Sequence, residues 1–590
     1  VTAAIAKTNR EGPPATTIDV VERAVRAHPD SKLIYPAQDR WVEETYESFA
    51  ARVENLARGL VSLGIEFGDR VAVVSDTRVE WTLWDLAAQM IGAIVVPIYQ
   101  TSSPEECQYV LSHSGARAVL CENEERLDTI LAVRDRCEAL EHLVVIEGAA
   151  KGAMTLAELA DQAPSDCERI VRRRRSDLTA EHPFTIIYTS GTTGPPKGCV
   201  ITHRNYVFSC RLAIELGNLD SESLLYLWLP LAHAMARMTQ LVTIGSGATL
   251  AFWRRDMQRL LDDLAELAPT HLVAVPRFFE KAHSLVVSGS SSPLRARALS
   301  WSLGVGRTMR EAERAGQQPS PLLRARHRLA QRLVLARVKE ALGGRAHTAL
   351  TGAAPIDPEI LDFFDACGLL VLEGYGLTET SAATSANLPG EFRFGTVGKV
   401  MEGTEIRLAG DDEILVRGPH VFAGYYRDEE ATRAVLSGDG WLRTGDLGAW
   451  DDGYLRVTGR KKELIITSSG KNVAPGPIER AIERDPIVSR AVLFGDQRPY
   501  VAALVTIDAE EGEKAGLDEG GIRERVEQSI SGVNSGLSRP EQVKRFAVLE
   551  RDFSLEAGEL TPTMKLKRNV IAERYATVIA DLYSAGGEGR

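Results

Sequence analysis

Apolar and polar positions along the first 150 residues follow two rhythms. A helical rhythm runs over 49–63, and short apolar runs at 70–74, 93–98, 116–121 and 142–146 predict strands. The most apolar long stretch, 81–99, contains Asp85, Gln89 and Pro97. It therefore reads as a buried helix running into the strand at 93–98, not as a membrane span. Strands alternating with helices predict an α/β fold with a doubly wound, mostly parallel sheet. Residues 161–182 are polar and hold four consecutive arginines at 172–175, which predicts a solvated linker. A further apolar strand follows at 184–187.

Two later changes of pattern matter. Residues 293–339 carry eleven Arg/Lys against Glu311 and Glu313, with helical spacing of Leu329, Leu333 and Ala336. The plainer expectation is a helical pair packed on the main body with a solvated basic face. The alternative is peripheral contact with an anionic membrane. The short charged sequence Gly459-Arg460-Lys461-Lys462-Glu463 is followed by a new strand-and-helix pattern. It predicts a large N-terminal domain over 1–459 and a small α+β C-terminal domain over 460–590. A chain of 590 residues is too long for one core, which agrees with two domains.

The composition is that of an ordinary globular protein, 44% hydrophobic and 25% charged. The formal charge of −12 argues against a nucleic-acid binder, because a polyanion would be repelled. Seven cysteines, an odd number with no Cys-x-x-Cys pair, disfavour a disulfide framework or zinc knuckle. They suit a reducing, cytoplasmic setting. The start of the chain lacks the basic-then-apolar pattern of a signal peptide.

The most informative stretch is 188–198, Tyr-Thr-Ser-Gly-Thr-Thr-Gly-Pro-Pro-Lys-Gly, which follows the strand at 184–187. Glycines let the backbone approach a ligand, hydroxyls and N–H groups surround phosphate oxygens, and Lys197 adds positive charge. The Walker spacing is absent, because Gly191 leads to Pro195-Pro196 and not to Gly-Lys-Ser/Thr. The stretch resembles the signature of the adenylate-forming superfamily: acyl-CoA synthetases, firefly luciferases and peptide-synthetase adenylation domains. Three further motifs carry the same resemblance. They are Gly374-Tyr375-Gly376-Leu377-Thr378-Glu379-Thr380, Trp441-Leu442-Arg443-Thr444-Gly445-Asp446, and Leu560-Thr561-Pro562-Thr563-Met564-Lys565. The last wording is similar to bacterial long-chain fatty-acyl-CoA synthetases, and the resemblance runs from about Tyr46 to Tyr583.

What the resemblance implies is specific. Thr189, Ser190, Gly191, Thr192, Thr193, Gly194 and Lys197 would hold phosphates. Gly352, Ala353 and Ala354, with Glu373, Gly374, Tyr375 and Gly376, would line the adenine, although the family more often has Gly where Ala353 stands. Thr378 would reach the α-phosphate. Glu379, with Thr189, would hold Mg2+, a hard cation suited to few oxygen ligands. Asp446 and Arg460 would bind the ribose, a carboxylate matching a vicinal diol. Lys565 would be the catalytic lysine, with Lys197 and Thr378 assisting. Lys462 would be the hinge about which a mobile C-terminal domain swings, bringing Ser469 and Gly470 to the CoA path. His233, in Leu229-Pro230-Leu231-Ala232-His233, and Val275-Pro276 would line the acid. Four residues after His233, where some fatty-acid enzymes place a gating tryptophan, this chain has Arg237.

The implied reaction uses ATP, Mg2+ and coenzyme A to convert a fatty acid to acyl-AMP and then to a thioester. Two alternatives are a fatty-acyl-AMP ligase that loads an acyl carrier protein, and a non-catalytic nucleotide-binding scaffold. The first tends to carry an insertion near the end of the large domain, and none is evident around 440–475. The second would be expected to lose Lys565, Asp446 or Glu379, and all three are present.

Overall fold

The computed structural model describes residues 12–584, apart from 39, 149–151, 162–163, 165, 190–194, 217–218, 289–291 and 562–563. Most of the chain builds a large mixed α/β body on two big sheets. One sheet has eight strands, with Ile94–Ile98, Arg70–Val74, Ala116–Cys121 and His142–Val145 running parallel. Pro183–Thr189 extends it parallel to Ile94–Ile98 and pairs antiparallel with Lys197–Thr202. The other sheet has nine strands, and its parallel centre is Leu224–Leu227, His271–Ala274, Thr348–Thr351 and Leu370–Tyr375.

The strand sequences explain this placement. Val71, Ala72, Val73 and Val74 are all buried, as are Val95 and Val96, so both faces of the sheet are covered. The helices Tyr46–Ser62 and Val79–Met90 cover one face. Trp81 and Trp84, on the second of these helices, are fully buried in the same core. Among the described residues no helix is long and apolar enough to cross a membrane. All seven cysteines are buried and unbridged.

The C-terminal part has its own core. Its sheet is Val488–Phe494, Val501–Ile507 and Val543–Val548. Strand alternation sends Ala491, Leu493, Ala503 and Val505 to one face, against Ile478, Ile482, Val526 and Ile530. Val492 and Leu504 go to the other face, against Ile571. Among the described residues, both clusters are built from positions 465 onward. Polar contacts link this small domain to the large one, including Arg484 with Asp357 and Lys567 with Glu106 at 3.9 Å.

One sequence expectation is corrected here. The polar segment 161–182 is not a linker. Its arginines sit on the helix Cys167–Asp177, which buries Cys167 and Val171. Arg175 pairs with Glu22 and Asp19, and Arg174 donates to the carbonyl of Ile65. A helix rich in arginine is stable here because these cations meet partners on neighbouring elements. In the basic segment the stripe Leu329/Leu333 does not face the core. The packing side is Ala330, Leu335 and Val338, and Leu329 and Leu333 are exposed.

Candidate active site

One cavity of about 780 Å³ lies between the two large sheets and the C-terminal part. Its polar end gathers loops that follow strands. Thr189 closes Pro183–Thr189, and Lys197 opens the strand paired with it. The strand Leu370–Tyr375 leads directly into the short 3-10 turn Thr378–Thr380. Gly376 has to be glycine at this bend, because a Cβ there would lie 2.1 Å from the carbonyl oxygen of Ala382. Ala353 holds φ at +68°, a left-handed backbone that costs an alanine about 1–2 kcal/mol, so glycine is the easier residue there.

Charged groups at this end are fixed by one another. Tyr375 donates its hydroxyl to Asp446 Oδ2 at 2.8 Å, and Arg460 Nε stands 3.0 Å from Asp446 Oδ1. Tyr425 donates to Glu379 Oε1 at 2.9 Å, and Lys197 Nζ sits 5.1 Å from the centre of the Tyr425 ring. Burial, reinforced by Glu379, holds the Tyr425 phenol far above its ordinary pKa, so it remains a donor. Burial and Glu379 likewise push the Cys199 thiol up, which leaves it inert.

Lys565 is delivered by a tight turn. Thr561 N–H donates to the Lys565 carbonyl at 2.8 Å, and Lys565 N–H donates to Thr561 Oγ1 at 3.0 Å. The side chain lines the cavity and keeps solvent contact through its mouth. Crowding by protein atoms lowers its pKa, and Arg460 adds repulsion. Asp446, Glu463 and Glu379 act in the opposite direction. His233 caps the helix Ala234–Gly245 by accepting from Met235 N–H at 3.3 Å. Burial, then Lys565, lowers its pKa to about 4, so the imidazole is neutral at pH 7.

Beyond His233 the cavity becomes an apolar channel. The helix Ala234–Gly245 contributes Met235, Met238, Thr239 and Val242, spaced as one helical face. The helix His203–Glu215 contributes Ser209 and Ala213, and the strands His271–Ala274 and Thr348–Thr351 supply the wall. Apart from His233, these positions and Tyr425 carry no motif. They are brought together by tertiary packing alone.

The predicted residues divide accordingly. Thr189, Lys197, His233, Gly352, Ala353, Gly374, Tyr375, Gly376, Thr378, Glu379, Asp446, Arg460, Lys462 and Lys565 line the cavity. Ser190, Gly191, Thr192, Thr193 and Gly194 lie outside the described residues. Ala354 and Glu373 do not reach the cavity. Strand alternation turns Glu373 away, and burial pushes its carboxyl up to about 7, offset in part by the N–H groups of Ile356 and Gly395. Ser469 and Gly470 are exposed and apart from it.

Three acyl-pocket expectations fail geometrically. Val275 and Pro276 sit past the end of the strand His271–Ala274, where Pro276 starts a helix, and neither lines the cavity. Arg237 is 2% exposed and also does not line it. It pairs with Asp85, donates to Thr185 Oγ1 at 2.7 Å and lies against the rings of Trp81 and Phe184. The helix that presents His233 and Met238 to the cavity sends Arg237 to its other side.

Comparison with known proteins gives a consistent picture. Residues 21–426 match the family model described as AMP-binding enzyme, and 462–586 match the one described as AMP-binding enzyme C-terminal domain. The chain is 38% identical over 562 residues to the long-chain-fatty-acid–CoA ligase FadD15 of Mycobacterium bovis, covering 92% of this chain and 93% of that one. It is 31% identical to the long-chain-fatty-acid–CoA ligase ACSBG2 of Xenopus laevis, covering 98% of this chain and 84% of the relative. The fold is similar to the crystal structure of the anthranilate CoA ligase AuaEII in complex with anthranoyl-AMP. That match has a TM-score of 0.76 at 20% identity and covers 98% of this chain and 100% of the other.

Proposed function

This chain belongs to the AMP-binding enzymes, and on that premise we propose that it joins a long-chain fatty acid to coenzyme A through an acyl-AMP intermediate. The observation that carries the reading is the shape of the cavity. A polar end with Thr189, Glu379, Asp446, Arg460 and Lys565 opens directly into an apolar channel past His233. Relatives named long-chain-fatty-acid–CoA ligases, aligned over nearly the whole chain, agree with it.

In the first half-reaction a carboxylate oxygen attacks the α-phosphorus of ATP and pyrophosphate leaves. Two anions must be brought together, so positive charge and in-line positioning are needed. Asp446 and Arg460 would orient the ribose, with Tyr375 holding the carboxylate in place. Thr378 and Lys197 would meet phosphate oxygens, and Lys565 would stand where negative charge builds. Neutral His233 adds no charge beside the acid. Glu379 fits Mg2+: its carboxylate lines the cavity beside Thr189, and Tyr425 donates to Oε1 and so orients it. Bound there with Thr189, the ion would neutralise phosphate charge. In the second half-reaction the CoA sulfur attacks the acyl carbonyl and AMP leaves.

The second step needs a different neighbour for the adenylate. We assign the hinge to Lys462, in the 3-10 turn Lys461–Glu463. Gly470 has φ of +74° and open space around its Cβ position. A bulky residue there has room, at a left-handed backbone cost of about 1–2 kcal/mol that falls on an exposed turn away from the cavity. Lys462→Pro or Gly470→Trp is expected to leave acyl-AMP formation largely intact while thioester formation falls and acyl-AMP accumulates. Loss of adenylate formation first would count against this division of labour.

Glu463 provides a pH test. Its charge favours the Lys565 ammonium. Glu463→Gln removes that support and lowers the lysine pKa further. The alkaline limb of adenylation should then move to lower pH, and an unmoved limb would disconnect Glu463 from Lys565.

CoA is favoured over a carrier protein as acceptor. The strands Leu442–Asp451 and Tyr454–Arg460 pass through a short turn and then directly to Ile465, with no inserted segment. Pyrophosphate release across an acid panel, with and without CoA, tests the whole reading. Long-chain acids should give release, and acyl-CoA should appear when CoA is added. Adenylate that CoA cannot discharge but a carrier protein can would replace this reading with that of an acyl-AMP ligase.

A further inference from the structure

The basic segment forms a helical hairpin on the large body. Helix Pro293–Arg314 packs against helix Pro321–Ala330, which continues through a π-turn, Gln331–Leu335, into Ala336–Glu340. The second arm, 321–340, is about 30 Å long. Its inner side is held by Ala330, Leu335 and Val338. Its outer side presents Leu322, Leu329 and Leu333, at 61%, 51% and 44% exposure. With Arg326 they follow a 4-3-4 spacing, which is one helical face.

Arginines flank and interrupt that face. Arg324, Arg326, Arg328, Arg332 and Arg337 are all exposed, and none has an ion pair among the described residues. Arg295 and Arg297 on the first arm are likewise unpaired, beside Leu294 at 79% exposure and the exposed Trp301. The contrast lies within the same hairpin. Arg307, Arg310 and Arg314 are tied to Asp362, Glu313 and Asp365. Arg307 and Arg314 hold the hairpin to helix Pro358–Ala366 of the body and Arg310 pairs within its own helix, whereas the outer seven make no ion pair among the described residues.

Exposed leucines are costly in water, and clustered ones mark a contact surface. Of the 17 large hydrophobic residues exposed among the described ones, seven fall within 285–333, so the cluster is not general surface scatter. We propose that this outer face docks on an anionic lipid bilayer. Leu322, Leu329 and Leu333 would enter the interfacial layer, and the arginines would lay their stems along it with guanidinium groups at the phosphates. Nucleic acid would use the arginines and leave the leucine stripe wet. The charge pattern also sets orientation. The segment 293–339 is +9 within a chain of −12, so the remainder is strongly acidic and is repelled by the same membrane. The membrane therefore attracts this face while repelling the net charge of the rest. An enzyme docked this way meets an acid that partitions into the bilayer.

Vesicle co-sedimentation of the full chain tests the proposal without acid, ATP or CoA, so it stands or falls separately from ligase activity. The chain should pellet with phosphatidylglycerol–phosphatidylcholine vesicles, not with pure phosphatidylcholine vesicles, and should be released in ~0.5 M salt. Changing Arg324, Arg326, Arg328 and Arg332 to Gln should weaken binding on the order of a hundredfold. Changing Leu322, Leu329 and Leu333 to Ser, which leaves charge untouched, should weaken it by about tenfold or more. Both variants should keep pyrophosphate release with a water-soluble acid, which shows that they fold. Undiminished vesicle binding by the leucine variant would overturn the proposal. So would failure of the unaltered chain to bind anionic vesicles, whether it binds duplex DNA or forms a leucine-dependent dimer instead.

Discussion

Lys565→Ala is expected to lower acyl-adenylate formation on the order of 10²–10³-fold while sparing transfer from pre-made acyl-AMP to CoA. One preorganised charge donor at developing negative charge is worth about that much. The turn that carries Lys565 is closed by backbone bonds and by Thr561, not by the lysine side chain, so the fold should survive the change. Pyrophosphate release measures the first half-reaction, and thioester appearance from supplied adenylate measures the second. Equal losses in both would show that Lys565 serves binding common to the two steps. Full retention of the first would remove it from the chemistry.

Arg237→Leu is expected to destabilise the large domain by about 3–5 kcal/mol and to leave the order of preference among acids unchanged. Asp85 is wholly buried, and burial raises its pKa against the pull of Arg237. Removing the guanidinium leaves a buried carboxylate with its main support gone, Thr185 without its donor, and two aromatic rings without the cation between them. Replacing Asp85 by Leu in the same chain should recover much of the loss, because an uncharged pair needs no compensation. Thermal melting and an acid panel read the two consequences separately. A changed chain-length preference with unchanged melting would return Arg237 to the acyl pocket.

The residues that gather at the polar end of the cavity were legible because they reside in contiguous motifs. The hydroxyl- and glycine-rich loop, the turn at 374–380, the Asp446 segment and the Lys565 segment each state their residue types at fixed spacing. A phosphate or a ribose needs particular donors at close range, and chain connectivity alone supplies them. The helix and strand succession of the first 150 residues was legible for a related reason. Periods of 3.6 and two residues follow from backbone geometry before any packing occurs.

The sequence did not decide which apolar and charged residues face a void and which face a neighbour. Met238 and Val242 line the channel while Leu241 and Ile244 fill the core, yet all four share one helix and one kind of side chain. Arg237 sits four residues after His233, close enough along a helix to suggest the same face, but its partners Asp85 and Thr185 come from elements far away in the chain and draw it the other way. Arg175 found acidic partners on a distant helix, whereas Arg324, Arg326, Arg328 and Arg332 have no ion pair among the described residues, a difference invisible in either run. Tyr425 lies 46 residues from the glutamate it orients. Local sequence determines what a segment can form and which groups it can offer. Only the packing of distant segments against one another determines where space is left, which charges are neutralised and which are left facing outward.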